Sequence, residues 1–346
     1  MNWKNFFLTK ICKFFSSKKN LSSKPDKILI ISTTALGDTL WGSPAIESLK
    51  QSFPKSSISV LTSSIGNEVL KTNPCIQKLY LIQEPLLRSF LFLWKILYKE
   101  KFDTVLIFHA SQRLIFPLAS LLGATRIIGT KGINKGLDSL LTHALPQIKE
   151  HEILRRLRMV ECIGGKIHTE HLSFTPQNVS CSLPQGSWIA IHPGSKDSFK
   201  RWPLEHFITL GKRLYEKTGC RILITGTKQE LPLMEQIASQ IPEAFCLDTA
   251  LPLHFFAKAL SQVKILISND TGPVHLACAL GTPVLALYAS TDPLLCGPHK
   301  APKALALSKT PTCTPCLKRK CLRPFCLLQI GPEEAFEHCL KLLASS

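Results

Sequence analysis

The sequence predicts an α/β protein of two successive domains, each built on a parallel sheet. Three observations carry that prediction. Strand-like and helix-like segments alternate from Lys27 onward, the alternation begins again after a polar stretch at 166–186, and three of the strand-like runs end in small polar loops that lead toward a helix. Such alternation makes βαβ units, whose crossovers lay helices over both faces of a parallel sheet.

In order along the chain, KILIIST is a buried strand and a helix is predicted from about Thr39 to Phe53. SISVLTS and QKLYLI read as the next two strands, LRSFLFLWKILYKE as a helix and FDTVLIFH as a buried strand. QRLIFPLASLLG is helical with Pro117 as a bend point, and TRIIG is a short strand. KEHEILRRLRMVECIGG is a helix closed by Gly164 and Gly165, the residues that most easily end one. The polar stretch KIHTEHLSFTPQNVSCSLPQG then reads as an interdomain connection. Beyond it SWIAIHP, CRILITG, VKILISN and TPVLALY are strands, separated by the helices PLEHFITLGKRLYEKTG, KQELPLMEQIASQ and PVHLACALG. The expected division is an arm and linker at 1–26, a first domain at 27–180 and a second at 181–346 that includes a cysteine-rich loop and a terminal helix. The two Rossmann-like domains are expected to face each other across a cleft.

Composition narrows the class. With 45% hydrophobic and 19% charged residues in 346, most of the chain has enough apolar surface to fold. No apolar run reaches the roughly 18 residues of a membrane span, and the first 25 residues lack the apolar core and cleavage site of a secretory signal. The thirteen cysteines are scattered through apolar segments, as expected of reduced packing residues in a cytoplasmic protein. The net charge of +18 is concentrated: residues 1–25 hold six lysines and 300–323 seven basic residues, neither with an acid. That distribution favours local anionic partners and argues against a nucleic-acid surface. On a helix, Trp3, Phe7, Ile11, Phe14 and Phe15 of the arm share one face opposite lysines, the pattern of a helix lying in an anionic membrane interface. The alternatives are a disordered basic tail or a helix docked on its own protein.

The three loops carry the chemistry. STTALGDTLWGSP follows the first strand, with Gly37 for a tight turn and Asp38 at the helix start. It lacks the G-x-G-x-x-G of dinucleotide binding, and Asp38 taken alone reads first as a helix cap. HPGSKDSFKRWPLEHF sets Gly194, Ser195, Lys196, Lys200 and Arg201 before a helix, a combination of backbone N–H, hydroxyl and cationic groups suited to phosphate. NDTGPVH places Asn269, Asp270, Thr271 and Gly272 at the end of a strand, with His275 one turn into the helix. It reads either as ordinary capping or as a ligand loop at the carboxyl end of a parallel strand.

In order and spacing, ALGDTLWGSPAIESLK, HPGSKDSFKRWPLEHF and NDTGPVHLACALGTPVLALY resemble glycosyltransferase family 9, the lipopolysaccharide heptosyltransferases, over roughly residues 27–340. The resemblance implies a GT-B fold and an inverting, metal-independent enzyme that uses ADP-heptose and a lipopolysaccharide core acceptor. It implies Asp38 as the base for the acceptor hydroxyl. Ser195 and Lys200 would meet the diphosphate, Glu230 the ribose, and Asp270, Thr271, Gly272 and His275 the donor sugar and diphosphate. Arg113 and Arg126, near ends of first-domain elements, are the candidates for an anionic acceptor, the alternative being ordinary surface salt bridges. No cofactor or metal is expected beyond the donor substrate, and the expected setting is a monomer peripheral on the cytoplasmic face of the inner membrane. Cys313, Cys316, Cys321 and Cys326 have a spacing that also suits zinc or an iron–sulfur cluster, but a structural or substrate-proximal loop is the favoured reading. The alternatives are a family member or GT-B enzyme with another donor sugar, and a catalytically silent membrane-associated binding protein.

Overall fold

The computed structural model describes residues 24–82, 85–179, 183–289, 291–311, 313, 316, 321–322 and 324–345. The amphipathic reading of the arm falls on residues 1–23 and lies outside the described residues. The chain forms two compact units, divided between Glu170 and His171.

The first unit carries strands β1 (Lys27–Ser32), β2 (Ser57–Thr62), β3 (Lys78–Leu81), β4 (Thr104–His109), β5 (Arg126–Thr130) and β6 (His143–Leu145). They form one sheet in the order β3-β2-β1-β4-β5-β6, and every pairing is parallel. In β1 the run Ile28–Ile31 is fully buried, as expected of a central parallel strand covered by helices on both faces.

The second unit carries β7 (Trp188–His192), β8 (Arg221–Ile224), β9 (Phe245–Cys246), β10 (Leu266–Asn269), β11 (Val284–Tyr288) and β12 (Ala304–Ser308). Their order is β12-β11-β10-β7-β8-β9, again wholly parallel. Its core joins strand residues such as Ile191 and Ile267 to Phe207 and Leu214 of helix Leu204–Thr218 and Phe336 of helix Pro332–Ala344.

The two sheets share one winding. Each grows outward from its first strand to its third, then returns to the other side of the first. The reversal falls between β1 and β4 in one sheet and between β7 and β10 in the other. At such a reversal the connecting helices leave toward opposite faces, so a crevice opens at the carboxyl ends of the two strands, where open α/β sheets bind ligands.

The structure departs from sequence expectation in its details. The helix expected from about Thr39 to Phe53 is two helices, Leu36–Leu40 and Ser43–Ser52. Trp41 caps the first, and Pro44, which has no N–H to donate, sits where the second begins. Gly42 lies against the Phe108 ring, which leaves room for little more than a hydrogen there. QRLIFPLASLLG forms only the short helix Ile115–Ser120. Helices Ser64–Leu70 and Leu253–Leu260 and strands β6, β9 and β12 were not expected. β6 and β9 have three and two residues, too few for a readable period.

Candidate functional site

Each reversal point collects the loops singled out from the sequence. In the first unit, Thr33 follows β1 and donates its backbone N–H to His109 O at the end of β4 (3.1 Å). The Thr33 hydroxyl donates to Gln112 Oε1 (2.9 Å), and His109 Nδ1 lies 3.2 Å from Thr34 Oγ1. Helix Leu36–Leu40 starts from this loop, with Ala35 as its cap and Asp38 as its third residue. Asp38 is therefore not the N-cap residue itself, but its carboxylate reaches back to that residue in a capping box. Its Oδ2 accepts from Ala35 N–H at 3.4 Å, a long bond that leaves the half-buried carboxylate available.

Around Asp38 the structure gathers groups that the sequence reading missed. Helix Glu152–Cys162 brings Arg155 and Arg156, both paired with Glu152 Oε2, at 2.5 and 2.7 Å. Arg156 is fully buried, with its guanidinium 5.5 Å from the Trp41 ring centroid. Its Nε and Nη2, and Nε of Arg155, have no hydrogen-bond partner among the described residues. Burial holds the His109 imidazole below its ordinary value; the Asp38 carboxylate opposes that and the two guanidinium groups reinforce it. Burial likewise lowers Arg155, with Arg156 beside it adding to the effect and Glu152 and Asp38 opposing. Asp38, His109 and the arginine pair thus feel one another's charge. The missed signal is the doublet Arg155–Arg156 in a helix read only for its extent and its closing glycines.

Of the two arginines proposed for an acceptor, Arg113 follows β4 and lies on the same sheet edge as Asp38, its Nε buried without a partner. Arg126 does not join them. It is the first residue of β5, at the opposite edge of the sheet, where it is buried and pairs with Asp103 Oδ1 at 3.1 Å. Asp103 also accepts from the N–H groups of Asp26 and Lys27, so this pair ties strand beginnings together.

The second reversal point is held by Asn269, another residue given no role from sequence. It is fully buried at the end of β10. Its Oδ1 accepts from Trp202 N–H (2.9 Å), and its Nδ2 donates to Pro193 O (2.7 Å) and more weakly to Gly194 O (3.4 Å). One side chain therefore fixes both ends of the HPGSKDSFKRW loop against β10. Trp202 is anchored further through Nε1 to Ile330 O (2.8 Å).

Ser195 is buried in this loop, and its carbonyl accepts from Arg201 Nε (2.8 Å). Lys200 closes a short helical turn, Ser198–Lys200, and its Nζ stands 2.5 Å from Asp270 Oδ2. Thr271, the cap of helix Gly272–Leu280, gives that helix no side-chain cap. Its hydroxyl turns back toward Asn269 O (3.2 Å) and Ser268 Oγ (3.3 Å). The capping reading of NDTGPVH thus fails for both residues offered for it: Asp270 pairs with Lys200, and Thr271 bonds to the strand it leaves. No side chain caps the amino end of this helix and Lys200 stands beside it, although Pro273 has no N–H and Val274 N–H already donates to Thr271 O (3.1 Å). His275 is buried one turn in.

Glu230 reaches the same edge from the loop after β8. Its Oε2 accepts from Thr227 N–H (2.8 Å) and Thr227 Oγ1 (2.9 Å), which fixes the carboxylate. It lies so close to Gly194 that any side chain at 194 would overlap it. His192, buried at the end of β7, stands 3.0 Å from Thr225 Oγ1. Burial, opposed by Glu230, pushes its pKa down to about 4, so it is a neutral ring at ordinary pH. Cys313, Cys316, Cys321 and Cys326 are thiols, and among the described residues no three His, Cys, Asp or Glu side chains cluster closely enough to ligate a metal.

Two doubly wound units, one with a carboxylate among cations and the other with a lysine beside an uncapped helix end, have the architecture of a nucleotide-sugar transferase. Residues 166–325 match glycosyltransferase family 9 (heptosyltransferase), so the chain carries a domain of that family. It is similar to lipopolysaccharide heptosyltransferase 3 of Escherichia coli, 23% identical over 286 residues that cover 74% of this chain and 81% of that one. The structure of E. coli ADP-heptose LPS heptosyltransferase II superposes with a TM-score of 0.77 at 20% identity, covering 92% of this chain and 99% of that one, which establishes the GT-B fold. The iron-containing dodecameric glycosyltransferase TibC from enterotoxigenic E. coli is also similar, with a TM-score of 0.61 at 14% identity and coverage of 93% and 77%.

Proposed function

We propose that the protein transfers a heptose from ADP-heptose to an anionic lipopolysaccharide core acceptor, with inversion and without a metal ion. The observation that carries this reading is the Lys200–Asp270 pair beside the amino end of helix Gly272–Leu280, which no side chain caps. Departure of ADP places negative charge on the diphosphate, and amide N–H groups with a lysine are the donors suited to receive it. In the reaction the acceptor oxygen bonds to the anomeric carbon as the bond from that carbon to the diphosphate breaks. Asp38 takes the acceptor's proton, and Arg113 and Arg155 bind the acceptor's anionic groups. Ser195, Thr271, Gly272 and His275 surround the donor, Glu230 meets its ribose, and Asp270 its sugar.

The heptosyltransferase names of the relatives support the choice of donor and acceptor. Among the described residues no helix is long and apolar enough to cross a membrane, which fits a peripheral enzyme that works on a glycolipid at the cytoplasmic face of the inner membrane. The test is a panel of ADP, UDP, GDP and their sugars. ADP and ADP-heptose should raise the melting temperature in proportion to saturation, and ADP-heptose alone should support transfer to a lipid A–Kdo or heptosylated core acceptor. Stabilisation by UDP or GDP instead would overturn the donor assignment. Stabilisation with neither transfer nor donor hydrolysis would mark a binding protein.

Metal independence has its own measurement. Elemental mass spectrometry of the purified protein should find no stoichiometric zinc or iron, and a chelator should leave transfer unchanged. About one metal ion per chain would make Cys313, Cys316, Cys321 and Cys326 the ligands to mutate.

A further inference from the structure

The basic segment at 300–323 is not used by the transfer reaction, and the structure shows where it begins. Lys300 and Lys303 line a cavity of about 530 Å³ in the second unit, together with His171, His299 and the end of helix Gly272–Leu280. It lies where β11 and β12 start, so it is at the opposite edge of the sheet from Ser195 and Asp270. Its volume is in the range of small-molecule sites.

The charge of this cavity is one-sided. No carboxylate lines it. Lys309, further along the segment, is paired with Glu334 at 2.6 Å, whereas the ammonium groups of Lys300 and Lys303 make no hydrogen bond or ion pair among the described residues. The helix end that forms one wall is a carboxyl end, whose partial negative charge the two lysines must outweigh for an anion to bind. Gly281 N–H donates to Cys278 O (3.2 Å) and Thr282 N–H to Ala277 O (3.0 Å), so two carbonyls there are already used. Burial raises the Cys278 thiol to about 12, which keeps it neutral.

The backbone presents the lysines firmly. Lys303 O accepts from Val284 N–H (2.9 Å), and Ala304 N–H donates to Ala301 O (3.0 Å). Lys300 holds a left-handed φ of 49°, a conformation that a side-chain-bearing residue keeps only where its surroundings enforce it. Leu172, Ala301 and Pro302 supply apolar wall between the cations.

We propose that this cavity is a second anion site, distinct from the donor site, that takes a phosphate-bearing ligand on Lys300 and Lys303. Phosphate is the chemistry that two lysines and flanking histidines recognise best, and it reaches the site from a soluble phosphate or from a lipid headgroup.

The test is calorimetric titration of the full chain with inorganic pyrophosphate, with ADP at saturation to fill the donor site. Lys300→Gln/Lys303→Gln should weaken the remaining pyrophosphate binding at least tenfold. Lys258→Gln/Lys264→Gln, which removes the same charge from exposed positions elsewhere in the unit, should leave it unchanged. ADP affinity equal to that of the parent shows that each variant is folded. Equal pyrophosphate binding by parent and Lys300→Gln/Lys303→Gln, or an equal loss in both double variants, would overturn the proposal. Repeating the parent titration with phosphatidic acid vesicles assigns the source: competition marks a lipid headgroup, and its absence a soluble phosphate.

Discussion

Asp38→Asn should lower sugar transfer by about 10²- to 10⁴-fold, the usual contribution of a positioned base, while melting temperature and ADP affinity barely move. The geometry makes the substitution selective. Asp38 is the third residue of its helix and accepts one long bond from Ala35 N–H, which an Asn Oδ1 can also accept. The helix therefore loses at most a favourable dipole contact of about 0.3–1 kcal/mol. What Asn cannot do is take a proton. The proposed nucleotide contacts are all in the second unit, so donor binding serves as a control independent of the mutated residue. Calorimetry with ADP, a thermal melt and a transfer assay on a lipid A–Kdo type acceptor are the three measurements. A folded, ADP-binding Asp38→Asn variant with near-parent transfer would reduce Asp38 to a helix-end residue.

The sequence carried the architecture because parallel strands buried on both faces leave long apolar runs. Ile28–Ile31, Val105–Phe108 and Ile189–Ile191 are all buried, and each stood out as a strand. The three candidate loops stood out for the opposite reason: small and polar residues directly after such runs have few structural uses. What the sequence could not show is which residues converge from distant positions. Asn269 looked like one more loop residue until its amide was found holding residues 193, 194 and 202. Arg155 and Arg156 sit more than a hundred positions after Asp38, and only the folded helix brings their charge to it. Arg126 shows the converse error. Proximity to the end of an element was read as proximity to the site, but the residue begins its strand, and in a parallel sheet the beginnings and ends of strands lie on opposite edges.

The Lys200–Asp270 contact turns a simple charge deletion into a more discriminating experiment. Lys200→Ala should weaken ADP binding and slow transfer together, since the ammonium meets the diphosphate in both ground and transition states. Loss of a charge-assisted contact costs on the order of 1.5–3 kcal/mol, roughly 10- to 100-fold. That ammonium stands 2.5 Å from Asp270, whose side chain is 8% exposed. Removing the lysine alone therefore leaves a nearly buried carboxylate unpaired and facing an incoming diphosphate, which adds repulsion to the lost attraction. Asp270→Asn should act in the opposite sense on ADP: it frees Lys200, so ADP affinity should hold or rise, while transfer falls because the donor sugar loses its contact. The double variant Lys200→Ala/Asp270→Asn should then bind ADP better than Lys200→Ala, and the departure from additivity measures the coupling of the pair. Melting temperatures separate this from plain destabilisation, since Lys200→Ala should be the least stable of the three. If Lys200→Ala binds ADP as the parent does, Lys200 is not at the diphosphate, and the uncapped helix end alone must receive it.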